Sequence, residues 1–204
     1  MLGIHRVIRT RYSTPTPAIF LDRDGVIVEE TGYLHKPQEV RVIPGAAQAI
    51  LKIAVAGYAA VVVTNQAGIA RGYYEWDAFE ATQAQIVQEL APAAFDGVWA
   101  CGYHPHGTGP LATDHPFRKP NPGMVLDAAN EMNLDLEHSW LIGDKAIDVQ
   151  TAINANLEGA VLVRTGYGRD QEPQVRAIPS GAQQIFICDD IHQAVEQILL
   201  RRRL

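Results

Sequence analysis

Two pairs of aspartates are the side chains of this sequence best suited to chemistry. Asp22 and Asp24 follow one short apolar segment, and Asp144 and Asp148 follow another. Carboxylates that meet in one place repel each other unless a cation neutralises them or they take up protons. Oxygen ligands suit Mg2+, which commonly binds one or two carboxylates together with water and substrate phosphate. The pattern therefore predicts a magnesium site.

Polar and cationic residues stand at comparable positions elsewhere in the chain. Thr64, Asn65 and Gln66 follow a second apolar segment, and Arg118 and Lys119 precede a predicted helix. Beside a metal, lysine and arginine would contact phosphate oxygens, and a threonine hydroxyl would add a hydrogen bond. Together with the aspartates, these residues indicate metal-assisted phosphoryl transfer.

The spacing within each aspartate pair suits that reaction. One carboxylate can attack phosphorus and form an acyl phosphate, which divides one difficult displacement into two. A second carboxylate nearby, in the Asp22-x-Asp24 pattern, can protonate the departing alkoxide and later deprotonate water. Asp144 and Asp148 are four residues apart, so on a helix they share a face and one can support the other at the metal.

Short apolar segments alternate with helical patterns along most of the chain. This order predicts an α/β fold with a Rossmann-like parallel sheet and helices on both faces, in which ligands bind beyond the carboxyl ends of the strands. The predicted strands are 18–21, 58–63, 98–100, 140–142, 160–163 and 185–187. The predicted helices are 46–56, 76–90, 189–200 and two that follow Asn121 and Asp144.

Length and composition indicate an ordinary globular protein. With 204 residues, 47% of them hydrophobic, the chain is expected to form one domain at 18–200, preceded by an extended lead-in at 1–17 and followed by a basic tail at 201–204. Its apolar stretches are too short for a membrane span. Two cysteines exclude a disulfide framework, so we expect a cytoplasmic protein, and we expect it to be a monomer.

Charge excludes another class of partner. The net charge is −6, and six arginines lie in the first 17 and last four residues, so residues 18–200 carry −12. Phosphate backbones require clustered cations, so we expect no nucleic-acid partner, no membrane partner and a small phosphorylated substrate.

Four strings resemble the motifs of the haloacid dehalogenase (HAD) superfamily of phosphatases. They are FLDRDGV at 20–26, VTNQAGIARG at 63–72, RKPNPGM at 118–124 and GDKAID at 143–148, and VRTG at 163–166 also fits. The second string has the form found in D-glycero-D-manno-heptose 1,7-bisphosphate 7-phosphatases and the related histidinol-phosphate phosphatases. The likeness covers residues 18–168 and implies an HAD-type fold and a Mg2+ cofactor.

The resemblance implies a role for each matched aspartate. Asp22 would be the nucleophile and a metal ligand, and Asp24 the general acid and base with its backbone carbonyl on the metal. Asp144 would be the remaining ligand, supported by Asp148. Phosphate or substrate binding would fall to Thr64, Asn65, Gln66, Arg71, Arg118 and Lys119.

One loop departs from the resemblance. The bacterial heptose enzymes carry a zinc loop of Cys-x-His and Cys-x-Cys, whose positions are occupied here by Cys101, Tyr103, His115 and Phe117. A substitute set of Cys101, His104, His106 and His115 is conceivable, since a structural zinc normally takes four such ligands. We expect instead that zinc is absent and that the histidines cap turns or face substrate.

Spacing leaves no room for a separate cap domain, because a helix and a strand occupy most of the residues between motifs. Substrate selection would then come from the loops at 29–38, 66–74 and 102–118. The resemblance implies a heptose bisphosphate, a precursor of lipopolysaccharide. Two alternatives stay open: histidinol phosphate, whose amine Glu29 and Glu30 could meet, and a receiver-like signalling domain phosphorylated on aspartate.

Overall fold

The computed structural model describes residues 2–179, 181 and 183–201. The strands are β1 (Ile4–Ile8), β2 (Thr16–Leu21), β3 (Ala59–Asn65), β4 (Gly97–Cys101), β5 (Leu134–Gly143), β6 (Gly159–Val163) and β7 (Gln184–Cys188). The helices are α1 (Ala46–Val55), α2 (Ala67–Ala70), α3 (Trp76–Leu90), α4 (Gly123–Met132), α5 (Ala146–Asn154), α6 (Gly168–Arg176) and α7 (Ile191–Arg201). Short 3-10 turns lie at Pro37–Glu39 and Gly109–Leu111.

In the described part of the chain these strands form one sheet in the order β1-β4-β3-β2-β5-β6-β7. Every neighbouring pair in this order is parallel except the first, β1 with β4. From β2 the chain builds outward to β3 and β4 on one side, and β5, β6 and β7 extend the other side. The connections therefore diverge between β2 and β5, which leaves a crevice at the carboxyl ends of these strands.

The two faces of the sheet bury separate cores. Along β2, Ile19 and Leu21 pack into the core that contains α1 and α7, whereas Ala18 and Phe20 pack into the core that contains α4 and α5. Strands buried on both faces read as continuous apolar segments, because neither side meets water. The predicted α/β fold with helices on both faces is confirmed.

The N-terminal segment differs from the expected lead-in at 1–17. Residues 4–8 form an edge strand, β1, antiparallel to β4, with Ile4 opposite Cys101. Arg6 pairs with Asp127 at 3.0 Å and Arg11 with Glu131 at 2.9 Å, both on α4. The sequence of β1, IHRVI, mixes polar and apolar residues because only part of an edge strand is buried, so it lacks the apolar signal of the central strands.

The C-terminal half contains one further unpredicted element. Helix α6 has the polar sequence GRDQEPQVR and buries little beyond Val175, so its pattern resembles a loop. At the C-terminus, Arg201 ends α7, and the rest of the expected basic tail, 202–204, lies outside the described residues. None of the described helices is both long and apolar enough to cross a membrane.

Candidate active site

A pocket of about 240 Å³ lies at the carboxyl ends of β2, β3 and β5, where the sheet topology leaves its crevice. Its walls come from the loops that follow these strands and from the segment before α3. The side chains that line it are Asp22, Asp24, Glu30, Tyr33, Leu34, Thr64, Asn65, Gln66, Ala67, Tyr74, Lys119, Lys145, Ile147 and Tyr167, with Gly32. Most of the predicted site residues therefore meet in one place.

Three carboxylates converge at the base of this pocket. Asp22, Asp144 and Asp148 are buried and each offers an oxygen within 4.8 Å of the others, the one such group of potential metal ligands among the described residues. Asp144 Oδ1 is buried and accepts no hydrogen bond from any of the described residues. Buried oxygens without a donor fit a divalent cation, for which hard oxygen ligands are preferred.

The electrostatics of the group support the same interpretation. Burial, reinforced by the charge of Asp22, raises the pKa of Asp144 to about 7, and Lys145 only partly offsets this. Carboxylates packed this closely favour protonation when no cation compensates them. A bound divalent ion would remove that repulsion, so the residues present fit the magnesium site predicted from sequence.

Two glycines allow backbone to approach Asp144. Gly25 has φ +83° and Gly166 has φ +55°, and a Cβ on either would overlap the Oδ2 atom of Asp144. The loops that carry them are joined by a hydrogen bond from the Thr165 hydroxyl to the Gly25 carbonyl at 2.6 Å. Only glycine combines this backbone conformation with the close approach, which explains the residue types at both positions.

Lys119 lies against the acidic group. Its Nζ is 3.0 Å from Asp22 Oδ2 and 2.6 Å from Asp148 Oδ1, and the side chain is almost fully buried. Burial alone would lower the pKa of Lys119, but the Asp148 and Asp22 carboxylates outweigh it and raise the pKa. The lysine is therefore a fixed cation beside the nucleophile candidate.

Asn65 holds Lys119 through the backbone. Its Nδ2 donates to the Lys119 carbonyl at 3.1 Å, and its Oδ1 accepts from the Lys119 N–H at 3.0 Å. Both polar atoms of the amide are thus engaged with a segment 54 residues away. The resemblance implies that Asn65 helps to bind phosphate or substrate, and in the structure its amide holds the backbone of Lys119.

Thr64 and Gln66 form a pair on the opposite wall. The Gln66 Nε2 group donates to Thr64 Oγ1 at 2.8 Å and to Asp24 Oδ2 at 3.1 Å. Because the Thr64 oxygen accepts this bond, its own O–H is free to donate toward a ligand in the pocket. Asp24 lines the same pocket, but its carboxylate is held by Arg23 and Gln66 and is outside the three-carboxylate group.

Lys145 is a site residue that the sequence reasoning missed. Its Nζ lies 3.1 Å from Glu30 and 3.5 Å from Asp144, and 4.5 Å from the centre of the Tyr167 ring. Burial would lower the pKa of Lys145, but the surrounding carboxylates, Asp22 and Asp144 first, raise it. Its place in the GDKAID string, next to Asp144, was the available signal.

Arg71 and Arg118 do not line the pocket but border it. Arg71 lies 5.9 Å from the centre of the Tyr33 ring and 3.4 Å from His104 Nε2. Arg118 donates to the Tyr103 carbonyl at 3.1 Å. Burial and the charges of these two arginines lower the pKa of His104. The two arginines form a cationic border on one side of the pocket, with His104 beside Arg71.

The loop at 102–118 is held by aromatic contacts. Tyr103 stacks on His115 with ring centres 4.1 Å apart, and Phe117 lies 5.6 Å from His115. His104 Nδ1 accepts the His106 N–H, and His115 Nδ1 accepts the Phe117 N–H. Cys101 is buried in β4. In the described residues the structure does not bring Cys101, His104, His106 and His115 together as a metal-ligand group.

Comparison with known proteins agrees with this fold and site. The HAD-hydrolase-like family model matches residues 116–194. The chain is 47% identical over 150 residues to a D-glycero-β-D-manno-heptose-1,7-bisphosphate 7-phosphatase of Mesorhizobium japonicum, covering 72% of this chain and 69% of the relative. It is 38% identical to a D-glycero-D-manno-heptose-1,7-bisphosphate 7-phosphatase of Thermosynechococcus vestitus, covering 90% and 96%.

A solved structure shows the same likeness. D,D-heptose 1,7-bisphosphate phosphatase from B. bronchiseptica, crystallised with magnesium and phosphate, superposes with a TM-score of 0.79 at 31% identity, over 91% of this chain and 99% of that one. Fold and site together define a phosphatase of the α/β class. The chain belongs to the HAD phosphatases, in the branch that contains the heptose bisphosphate 7-phosphatases. This membership excludes the receiver-like alternative.

Proposed function

We propose that this phosphatase is a Mg2+-dependent phosphomonoester hydrolase that removes the 7-phosphate of D-glycero-D-manno-heptose 1,7-bisphosphate. The observation that carries the reaction class is the meeting of Asp22, Asp144 and Asp148 with the Lys119 ammonium in one pocket. The names of the relatives support the substrate.

The reaction would proceed in two displacements. An Asp22 carboxylate oxygen attacks phosphorus, the bond from phosphorus to the ester oxygen breaks, and the leaving oxygen takes a proton from the Asp24 carboxyl group. Water then attacks the phosphorus of the aspartyl phosphate and gives a proton to the Asp24 carboxylate. The bond from phosphorus to Asp22 breaks, which releases phosphate and restores both residues.

The other pocket residues would bind the transferred group. Lys119 neutralises charge on the phosphoryl oxygens, and the Thr64 hydroxyl donates to one of them. Mg2+ would be held by Asp22, Asp144 and the Asp24 carbonyl, with Asp148 supporting, and would supply positive charge to the phosphoryl oxygens.

The cationic border supports a bisphosphate rather than a monophosphate. Neither Arg71 nor Arg118 has a carboxylate within 4.0 Å in the described part of the chain, although each is partly buried. Partly buried guanidinium groups favour an anionic partner. A second phosphate, at the end of the sugar remote from Asp22, would provide one.

Glu30 argues against histidinol phosphate. This carboxylate, which could have met the amine, already binds Lys145 at 3.1 Å and accepts the Gly32 N–H at 2.6 Å. Glu29 is exposed and does not line the pocket. A cationic substrate would therefore compete with an existing ion pair.

Phosphate release with Mg2+ tests the proposal. Heptose 1,7-bisphosphate, heptose 7-phosphate, histidinol phosphate and p-nitrophenyl phosphate are compared at equal concentration. We expect the highest kcat/KM for the bisphosphate and inorganic phosphate from position 7. A preference for histidinol phosphate would overturn the substrate, and activity retained by Asp22→Asn would overturn the mechanism.

A further inference from the structure

Arg23 stands between the two catalytic aspartates, yet its side chain lies beside the pocket rather than in it. It is 0% exposed, and the centre of its guanidinium group is 5.2 Å from the centre of the Phe79 ring. Removing such a charge from water is costly unless a well-placed partner compensates. The identity of that partner indicates what the buried arginine does.

The partner is Asp24. Arg23 Nε donates to Asp24 Oδ1 at 3.0 Å and Nη2 donates to Asp24 Oδ2 at 2.9 Å. No other carboxylate in the described residues lies within 4.0 Å of this arginine. Nη2 also donates to the Leu34 carbonyl at 3.1 Å. A two-pronged bond of this kind fixes the plane of the carboxyl group as well as its position.

Gln66 holds Asp24 through a second contact, on the side of the pocket where Thr64 lies. The Gln66 amide, 2% exposed, connects Asp24 Oδ2 to Thr64 Oγ1. Its carbonyl oxygen is in turn fixed by the Tyr74 hydroxyl, which donates at 2.6 Å. The Tyr74 ring stacks on His35 with centres 5.0 Å apart. The carboxyl group is therefore set relative to the threonine proposed to bind phosphate.

We infer that Arg23, Gln66 and Tyr74 are positioning residues that aim the Asp24 carboxyl group at the leaving oxygen. A carboxylate has about four lone-pair sites, and the three N–H donors leave one for the transferred proton. We call these three residues the Asp24 clamp. The inference rests on the proposed function, because it presumes that Asp24 is the general acid.

The test uses the leaving group. For each variant, kcat/KM is measured with an alkyl phosphate and with p-nitrophenyl phosphate. The alkyl phosphate is heptose 1,7-bisphosphate or, if the enzyme does not turn it over, the alkyl phosphate that the wild type hydrolyses best. An alkoxide needs a proton as it departs, whereas p-nitrophenolate does not. The ratio of the two kcat/KM values therefore reports how well Asp24 is positioned to donate its proton. A general loss of structure would lower both values and leave the ratio unchanged.

Arg23→Met should lower kcat/KM for the alkyl phosphate by about a hundredfold or more, the usual size of general-acid catalysis, and for the aryl phosphate by less than about tenfold. Arg23→Lys keeps the positive charge but cannot make the two parallel hydrogen bonds, so its effect on the ratio should lie between those of the wild type and Arg23→Met. Tyr74→Phe removes one hydroxyl and should shift the ratio in the same direction by about threefold. The matched control is Arg41→Met, because Arg41 is exposed and its side chain, among the described residues, donates only to neighbouring backbone carbonyls.

Asp24→Asn provides the reference. Suppose that Asp24→Asn changes the ratio, whereas the clamp variants lower kcat/KM equally for both esters or leave both values unchanged. The clamp is then overturned while the proposed function stands. If Asp24→Asn leaves the ratio unchanged, the acid role fails and the clamp fails with it. Thermal unfolding shows which variants fold. Should Arg23→Met not fold, Tyr74→Phe decides the question.

Discussion

Lys119 is buried although it is charged, and it touches two carboxylates of the same group. In water-excluded surroundings a fixed cation interacts strongly with charge that develops in a transition state. We expect Lys119→Met to lower kcat by at least about a hundredfold.

Phosphate release at saturating substrate measures the effect. Lys52→Met, which removes a partly exposed lysine of α1 that pairs with Glu196 of α7 and does not line the pocket, is the control and should be unchanged. Near-normal turnover by Lys119→Met would mean that another cation performs the task.

Gly166 offers a prediction about the metal. Gly166→Ala places a methyl group against Asp144 Oδ2, so Asp144 must move from the acidic group. Disturbing the groups that orient a metal ligand commonly costs tenfold to a hundredfold in metal affinity, so we expect the Mg2+ concentration for half-maximal activity to rise by about that factor or more.

Gly57→Ala is the matched control for Gly166→Ala. Gly57 also has a positive φ, +78°, but a Cβ there meets nothing within 4 Å. Both variants carry the backbone strain, and only one carries the clash. An equal Mg2+ requirement in the two variants would contradict the placement of Asp144.

At the scale of elements, the loop at 102–118 is held by side-chain stacking and by the residue that precedes β1. Gly102 donates to the Gly3 carbonyl at 2.8 Å, and a Cβ on Gly3 would overlap the Tyr103 ring. Tyr103 in turn stacks on His115 and offers its carbonyl to Arg118. The segment that leads into β1 therefore supports the loop that carries Arg118.

Tyr103→Ala should loosen that placement. An aromatic pair contributes about 0.5–1.5 kcal/mol, so we expect kcat/KM for the bisphosphate to fall about threefold to tenfold, with little change for p-nitrophenyl phosphate, which lacks a second phosphate. Tyr103→Phe keeps the ring and should behave as the wild type. A uniform loss on both esters would show that the loop does not select for the second phosphate.

The whole molecule should respond to the metal as well as to substrate. The proposed cation site consists of carboxylates that follow β2 and β5 and of one in α5, and these come together only in the folded chain. A ligand specific to the native state stabilises it by about 2.7 kcal/mol at a hundred times its Kd. We expect chelation of Mg2+ to abolish activity reversibly and to lower the unfolding temperature.

Asp144→Asn should remove the effect of Mg2+ on the unfolding temperature, measured by differential scanning fluorimetry. Asp170→Asn, at an exposed position in α6, should keep it. An undiminished shift in Asp144→Asn would place the stabilising ion elsewhere.

Much of this architecture follows from local pattern. The central strands are apolar throughout because both faces are buried, so β2, β3 and β6 were predictable, as were the aspartates that follow β2 and β5. The edge strand β1 and the polar helix α6 were not, because partly exposed elements carry weak periodicity.

The same division holds at the site. Residue types and their order along the chain predict the catalytic acids, the lysine and the phosphoryl chemistry, since that chemistry constrains which groups can serve. The partners of those groups are a different matter. Asn65 binding the Lys119 backbone, Lys145 pairing with Glu30, and Arg23 holding Asp24 depend on side-chain directions and on contacts between distant segments. Such contacts exist only once the sheet has assembled, because packing and burial, not local pattern, select them.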